Sequence, residues 1–261
     1  MRFAYRIVDV FTERPLAGNA LCVVLDPVPP PVMAALAREV NLSETAFPVV
    51  VADGEYEVRI FTPGAELAFA GHPTLGTAWV LGAGRWTQRS SGATVAVEAT
   101  DRGAAMEAPE PSFEDVDPAP AVAALGLAGA EAAVVAEAGG IRHLLVPTLA
   151  PLVGLAPDLV ALAALQRRHR TASVAAVRRL DDRTLHARVF CPAIGIAEDP
   201  GTGSAAGPLG RLCRDRFGLE ADLTVHQGDE VGRPCRISVH AGATLRVGGT
   251  VTACAEGHFT L

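Results

Sequence analysis

Glu44, His72 and Asp199 are the side chains of this sequence whose types and settings suit proton transfer. His72 stands in Ala70-Gly-His-Pro-Thr-Leu-Gly76, at the opening of an apolar run that reads as a helix. The helix dipole there disfavours imidazolium and leaves a neutral ring able to give or take a proton; the plainer alternative is a histidine at a helix cap. Asp199 lies in Glu198-Asp-Pro-Gly-Thr-Gly-Ser204. It either orients His72, or holds a substrate ammonium or hydroxyl, or serves the turn that Asp-Pro-Gly favours in any case. Thr202 and Ser204, in the same run, either bond a substrate carboxylate or cap the following helix. Glu44, in Asn41-Leu-Ser-Glu-Thr-Ala-Phe-Pro48, falls between the end of a surface helix and an apolar strand. A carboxylate held against an apolar wall is pushed toward a neutral pKa and can accept a C–H proton and deliver it elsewhere, whereas an exposed strand-entry glutamate has no such role.

Composition narrows the chemistry. All 22 basic residues are arginine. Without lysine there is no Schiff base to pyridoxal phosphate and no Walker A lysine, which removes two cofactor classes. The net charge is −7, and the only strongly basic cluster is Gln166-Arg-Arg-His-Arg170, which reads as the solvated end of a helix, so no nucleic-acid partner is expected. The five cysteines, Cys22, Cys191, Cys213, Cys235 and Cys254, never form C-x-x-C, and reduced thiols with no metal site are expected. No apolar stretch approaches the length of a membrane span, and the first residues mix charges with apolar side chains, so a cytoplasmic protein without membrane contact is expected.

The elements that must position these residues recur. Arg59-Ile-Phe-Thr-Pro63 and Arg188-Val-Phe-Cys-Pro192 share R-[IV]-F-x-P half a chain apart. Each is followed by a glycine-containing turn and a helix-compatible apolar run, from Ala70 to Leu81 and from Asp199 to Cys213. Both runs are apolar around most of their circumference, as in a helix buried on all sides, and strands wrapped around each would bury it. Strands are expected at 2–11, 20–25, 46–51, 56–61, 94–98, 141–146, 185–190, 224–227, 235–240 and 244–251, and surface helices at 31–40, 120–125 and 158–167. The Pro- and acid-rich stretch from Ala108 to Pro118 marks a boundary. Two similar α+β domains follow, 1–113 and 114–261, with the last strand able to cross back to the first. If they are pseudo-symmetric, two helix starts can face one cleft, bind a carboxylate and stabilise charge developing beside it.

Gly18-Asn19, Asn41-Leu-Ser-Glu-Thr-Ala-Phe47, Phe69-Ala-Gly-His-Pro-Thr-Leu-Gly76 and Glu198-Asp-Pro-Gly-Thr-Gly-Ser-Ala205, in this order, resemble the phenazine-biosynthesis F family. The likeness reaches the closing Val247-Gly-Gly-Thr-Val and Ala255-Glu-Gly-His. It implies a diaminopimelate epimerase-like fold of two pseudo-symmetric domains, each with strands around a central helix, and a homodimer. It implies an isomerase without cofactor, acting on a small carboxylate, with Glu44 as acid/base and His72 and Asp199 as further catalytic residues. Asn19, Gly71, Thr202, Gly203 and Ser204 fall to substrate binding, the two glycines through backbone N–H groups. Diaminopimelate epimerase and proline racemase place thiols in these turns; this sequence has none there, which speaks against two-thiol racemisation. Gly201 stands where alanine is more usual in the family. Two rivals are a non-catalytic small-acid binding protein on the same fold and a nucleotide-dependent oxidoreductase. The latter rests on Gly201-Thr-Gly-Ser-Ala-Ala-Gly207, an imperfect match to a Rossmann turn.

Overall fold

The computed structural model describes residues 1–261, with seventeen strands and five α-helices, numbered here in chain order. It divides into two compact units, residues 1–107 with 248–261, and residues 108–247. The boundary therefore falls at Glu107/Ala108. The proline-rich stretch opens the second unit because Ser112–Asp115 within it forms a strand and pairs. No helix is long and apolar enough to cross a membrane.

In the first unit, β1 (Arg2–Val10) pairs antiparallel with β2 (Asn19–Val24), and β2 pairs parallel with β3 (Glu44–Ala52). A parallel pair needs a crossover, which α1 (Pro30–Val40) supplies. β3 then pairs antiparallel with β4 (Glu55–Phe61), which carries the two-residue β5 (Glu66–Leu67). β4 also pairs parallel with β6 (Gly84–Arg89) across a second helix, α2 (Gly71–Leu81). β6, β7 (Thr94–Thr100) and β8 (Gly103–Glu107) form an antiparallel meander. The C-terminal β17 (Leu245–Thr260) pairs with both β8 and β1, so the eight strands close on themselves.

The two crossover helices lie on opposite sides of this ring. α1 is amphipathic and covers the outside, where Met33, Leu36 and Ala37 pack with Phe3, Cys22, Val24, Phe47 and Phe61. α2 has no charged residue, and nine of its eleven positions, Gly71 to Ala78 and Val80, are buried. It fills the inside: a Cβ on Gly76 would stand 2.7 Å from Leu21 Cδ2 and 2.9 Å from Val10 Cγ2, side chains that alternate with the outward Cys22 and Val24.

The second unit repeats this order. β9 (Ser112–Asp115), β10 (Val134–Ala138) and β11 (Ile141–Thr148) pair antiparallel in series, and β11 pairs parallel with β12 (Ser173–Arg179). β12 pairs antiparallel with β13 (Thr184–Cys191), which carries the short β14 (Ile196–Asp199) and pairs parallel with β15 (Asp222–Gln227); β15 pairs with β16 (Cys235–Ala241). α3 (Ala119–Leu125) and α4 (Leu159–His169) share the outer core with Leu144, Val146, Val174 and Phe190. The basic run ends α4, with Arg167 and Arg168 exposed in the last turn where the dipole favours cations. α5 (Gly203–Phe217) is the buried counterpart of α2. Element by element, β10-β11-α4-β12-β13-β14-α5-β15-β16 matches β1-β2-α1-β3-β4-β5-α2-β6-β7, and the parallel pairs fall at the same two places.

Candidate active site

Glu44 is the first residue of β3, in register with Leu21 of β2. Phe47 points outward to α1, so period-two alternation turns Glu44 inward, toward the start of α2. Glu44 Oε2 lies 3.3 Å from His72 Nε2, and both side chains are nearly buried, 13% and 7% exposed. His72 is the second residue of α2. Its Nε2 makes no hydrogen bond within the protein, while the ring bonds the main chain at Ala20. Burial pushes the His72 pKa down to about 3, with the Ala20 bond opposing this. The ring is therefore neutral, with its proton on the nitrogen facing Ala20 and its Nε2 lone pair toward the carboxylate.

The helix start is rigid. Ala70, in an extended conformation, gives α2 no side-chain cap, and Pro73 has no N–H, so the opening donors are those of Gly71 and His72. Behind them the Thr74 hydroxyl donates to the Ala70 carbonyl (2.8 Å), Gln88 Nε2 donates to Thr74 Oγ1 (2.8 Å), and Tyr56 Oη donates to Gln88 Oε1 (2.8 Å). Tyr56, Thr74 and Gln88 are fully buried. Asn19, also fully buried, opens β2 one residue before Ala20. Gly18 before it has φ +67°, and a Cβ there would sit 2.4 Å from the Val10 carbonyl oxygen, so only glycine brings the chain into β2 this way.

In the second unit Asp199 ends β14 and accepts a hydrogen bond from the Thr202 hydroxyl. Thr202 is the N-cap of α5, yet its side chain caps nothing; its carbonyl accepts from Ala205 and Ala206. Gly203 is the buried first residue of the helix, and Ser204, half-buried, is the second, the place His72 holds in α2. Arg188, from the repeated motif, forks onto Glu198 (2.9 and 2.7 Å) and donates to the Leu152 and Leu155 carbonyls, fastening the strand that ends in Asp199. Arg59 forks onto Glu66 in the same way in the first unit, at the surface. Two alanines and two glycines follow in α5's first turns. A Cβ on Gly210 would come within 2.6 Å of Val239 and one on Gly207 within 3.2 Å of Val247, so these glycines serve close helix packing.

The structure thus brings Glu44 and His72 together in one unit, beside Asn19 and Gly71, and Asp199 and Thr202 together in the other, beside Gly203 and Ser204. The ring of His72 takes its orientation from Ala20. Tyr56 and Gln88, which brace the first turn, carried no local signal in the sequence, whereas Arg188, which fastens the second, stood in the repeated R-[IV]-F-x-P motif. The five cysteines form no disulfide, and none lies in either turn; no three His, Cys, Asp or Glu side chains converge as metal ligands.

Comparison with known proteins places the chain in a family. Residues 8–257 match the family described as phenazine biosynthesis-like protein. A trans-2,3-dihydro-3-hydroxyanthranilate isomerase of Pseudomonas aeruginosa is 38% identical, over 97% of this chain and 98% of the relative. An uncharacterized isomerase of Mesorhizobium japonicum is 33% identical over 97% of each chain. Among solved structures, a predicted epimerase from Pseudomonas aeruginosa superposes with a TM-score of 0.84 at 30% identity, covering 99% of both chains. A hydroxyproline epimerase from Agrobacterium vitis shares the fold at 11% identity, with a TM-score of 0.71 over 100% of this chain and 93% of that one. With a family match over residues 8–257, a matching fold and isomerase relatives over nearly its full length, the chain belongs to the phenazine biosynthesis-like family and is an isomerase.

Proposed function

We propose that the chain is a cofactor-independent isomerase in which Glu44 moves a proton between two carbons of a small carboxylate substrate. The observation that carries this reading is the inward Glu44 carboxylate 3.3 Å from a neutral His72 at the uncapped start of a buried helix. The carboxylate takes a proton from carbon, and the C–H electron pair enters the new double bond. The acquired proton lies between Glu44 and the Nε2 lone pair, where His72 accepts a hydrogen bond from it. The electron pair of the old double bond moves to a second carbon and takes the proton back from Glu44 there as the new C–H bond, which completes a double-bond shift with no net change in charge.

The backbone N–H groups of Gly71 and Gly203 and the Ser204 hydroxyl are assigned to the substrate carboxylate, Asn19 and Thr202 to further substrate contacts, and Asp199 to a substrate amino or hydroxyl group. The substrate named for the relatives, trans-2,3-dihydro-3-hydroxyanthranilate, has a carboxylate, an amino group and a hydroxyl, and is the first to assay. The homodimer implied by the resemblance belongs to this reading, and light scattering tests it.

Purified protein and its Glu44→Gln variant are incubated with that substrate in D2O and followed by NMR. The wild type should shift the double bond with deuterium exchange at carbon. Glu44→Gln should lose turnover by roughly a thousandfold while keeping its circular dichroism spectrum. A fully active Glu44→Gln variant removes Glu44 from the mechanism. Binding of the substrate without turnover in the wild type instead favours a small-acid binding protein.

A further inference from the structure

Gln227 ends β15 and is 1% exposed. A buried primary amide is costly unless both its N–H groups and its oxygen are bonded, and the side-chain bonds of Gln227 go to one turn. Nε2 donates to the Asp199 carbonyl (2.8 Å) and to Thr202 Oγ1 (3.0 Å), and Oε1 accepts from the Thr202 N–H (3.2 Å). Because Thr202 Oγ1 accepts from Gln227, its own proton is directed to Asp199 Oδ2, the bond observed. The next residue closes on the same turn. Gly228 has φ +82°, and a Cβ there would be 2.5 Å from the Pro200 carbonyl oxygen, so the strand end can approach this closely only with glycine.

The other unit holds the same device. Gln88, near the end of β6, is fully buried and returns to the start of α2 through Thr74, whose hydroxyl donates to the Ala70 carbonyl. β6 and β15 are matching strands, parallel to β4 and to β13 respectively. In both repeats, then, a glutamine from the strand after the helix fixes a threonine at its start. In the second repeat alone that threonine also holds a carboxylate.

We propose that Gln227 is a positioning residue for the isomerase, acting through Thr202 to hold the Asp199 carboxylate in one orientation; this rests on the role assigned to Asp199 above. Nothing in Gln227 need touch substrate. Misplacing a reacting or binding group by about an ångström costs up to about a hundredfold in rate, and that is the scale expected here.

The test is a double-mutant comparison on the full chain, with trans-2,3-dihydro-3-hydroxyanthranilate as substrate. Gln227→Leu and Thr202→Val should each lower kcat/KM by about ten- to a hundredfold, and Thr202→Ser, which keeps the hydroxyl, should recover most of it. In the Asp199→Asn background Gln227→Leu should have little further effect, because its route to the substrate has already been removed. A Gln227→Leu loss that is undiminished in that background, or not matched by Thr202→Val, makes the residue merely structural and overturns the proposal. A wild type that turns over no substrate refutes the isomerase substrate reading instead. Hydrogen exchange then decides the latch separately: faster exchange confined to the Thr202 amide and the turn 199–204 in Gln227→Leu supports it, and unchanged exchange overturns it.

Discussion

His72 is a histidine that the fold keeps uncharged, and that has a consequence in solution. Its pKa is pushed down to about 3 in the folded protein, because burial strips water from the ring, against 6.5 for a free imidazole. Between these values the unfolded chain binds a proton that the native chain refuses. Stability on this account is present above about pH 6.5 and is lost as pH falls toward 3, with a slope of about 1.4 kcal/mol per pH unit for each such proton. His143, buried in β11 and bonded to Ser173, is pushed down to about 4 by the same cause and adds in the same direction. Urea unfolding between pH 4 and 7 should therefore show stability falling with acidity. His72→Gln should reduce the slope by up to one proton, and an unchanged slope would mean that the native ring is protonated. His72 and Asp199 could be singled out as candidates in the sequence because each sits in a short run whose turn and helix-start chemistry is local, and Glu44 because its run resembles the family's. Gln227 and Gln88 could not be: a glutamine inside a strand looks like any solvent-facing polar residue until the fold places it against a turn from a distant part of the chain.

The elements that position these side chains are two helices with unusual surroundings. α2 over its whole length and α5 over its first eight residues, Gly203 to Gly210, carry no charged side chain and are mostly buried, and both helices were recognisable from that apolar run. Close enclosure also explains their glycines. At Gly76 an added methyl would meet Leu21 and Val10, and Val10 is a β-branched side chain with little freedom to yield. Alanine gains up to about 1 kcal/mol of helix propensity over glycine, but overpacking costs about 1–3 kcal/mol. Gly76→Ala should thus be destabilising on balance, by about 1–2 kcal/mol in urea titration, and a stabilised variant would show that the strands around α2 can spread. The strands were less legible than the helices. β12, Ser-Val-Ala-Ala-Val before two arginines, is buried on both faces over those five residues and lacks the alternation that marks a half-exposed strand. β6 and β8 fail for other reasons: Gly-Arg-Trp-Thr-Gln-Arg is mostly polar, and Gly-Ala-Ala-Met-Glu is small and helix-compatible. Only their partners make them strands.

At the scale of the whole molecule the duplication is clear, but the chain does not divide at its middle. The first unit is completed by the last fourteen residues, 248–261, which pair with β1 on one side and β8 on the other. Glu44 and His72 are encoded early, yet the ring of strands around α2 closes only when the C-terminus arrives. A chain stopped at Val247 keeps every assigned catalytic and binding residue and leaves β1 and β8 as open edges beside an apolar helix. The two tryptophans, Trp79 on α2 and Trp86 on β6, both lie in the first unit and report on it alone. The truncated chain should show unfolded-type tryptophan emission without denaturant, and no turnover. Covalent continuity at the ends is a different matter. The Leu261 N–H donates to the Met1 carbonyl at 2.9 Å, so a short glycine-serine linker can join the termini, and the exposed β10–β11 turn at Gly139-Gly140 can be opened instead. That permuted chain should keep native emission and activity. If the truncated chain instead keeps native emission, β17 is dispensable to the ring; if the permuted chain loses it, folding depends on the order in which the strands are made and not only on their presence.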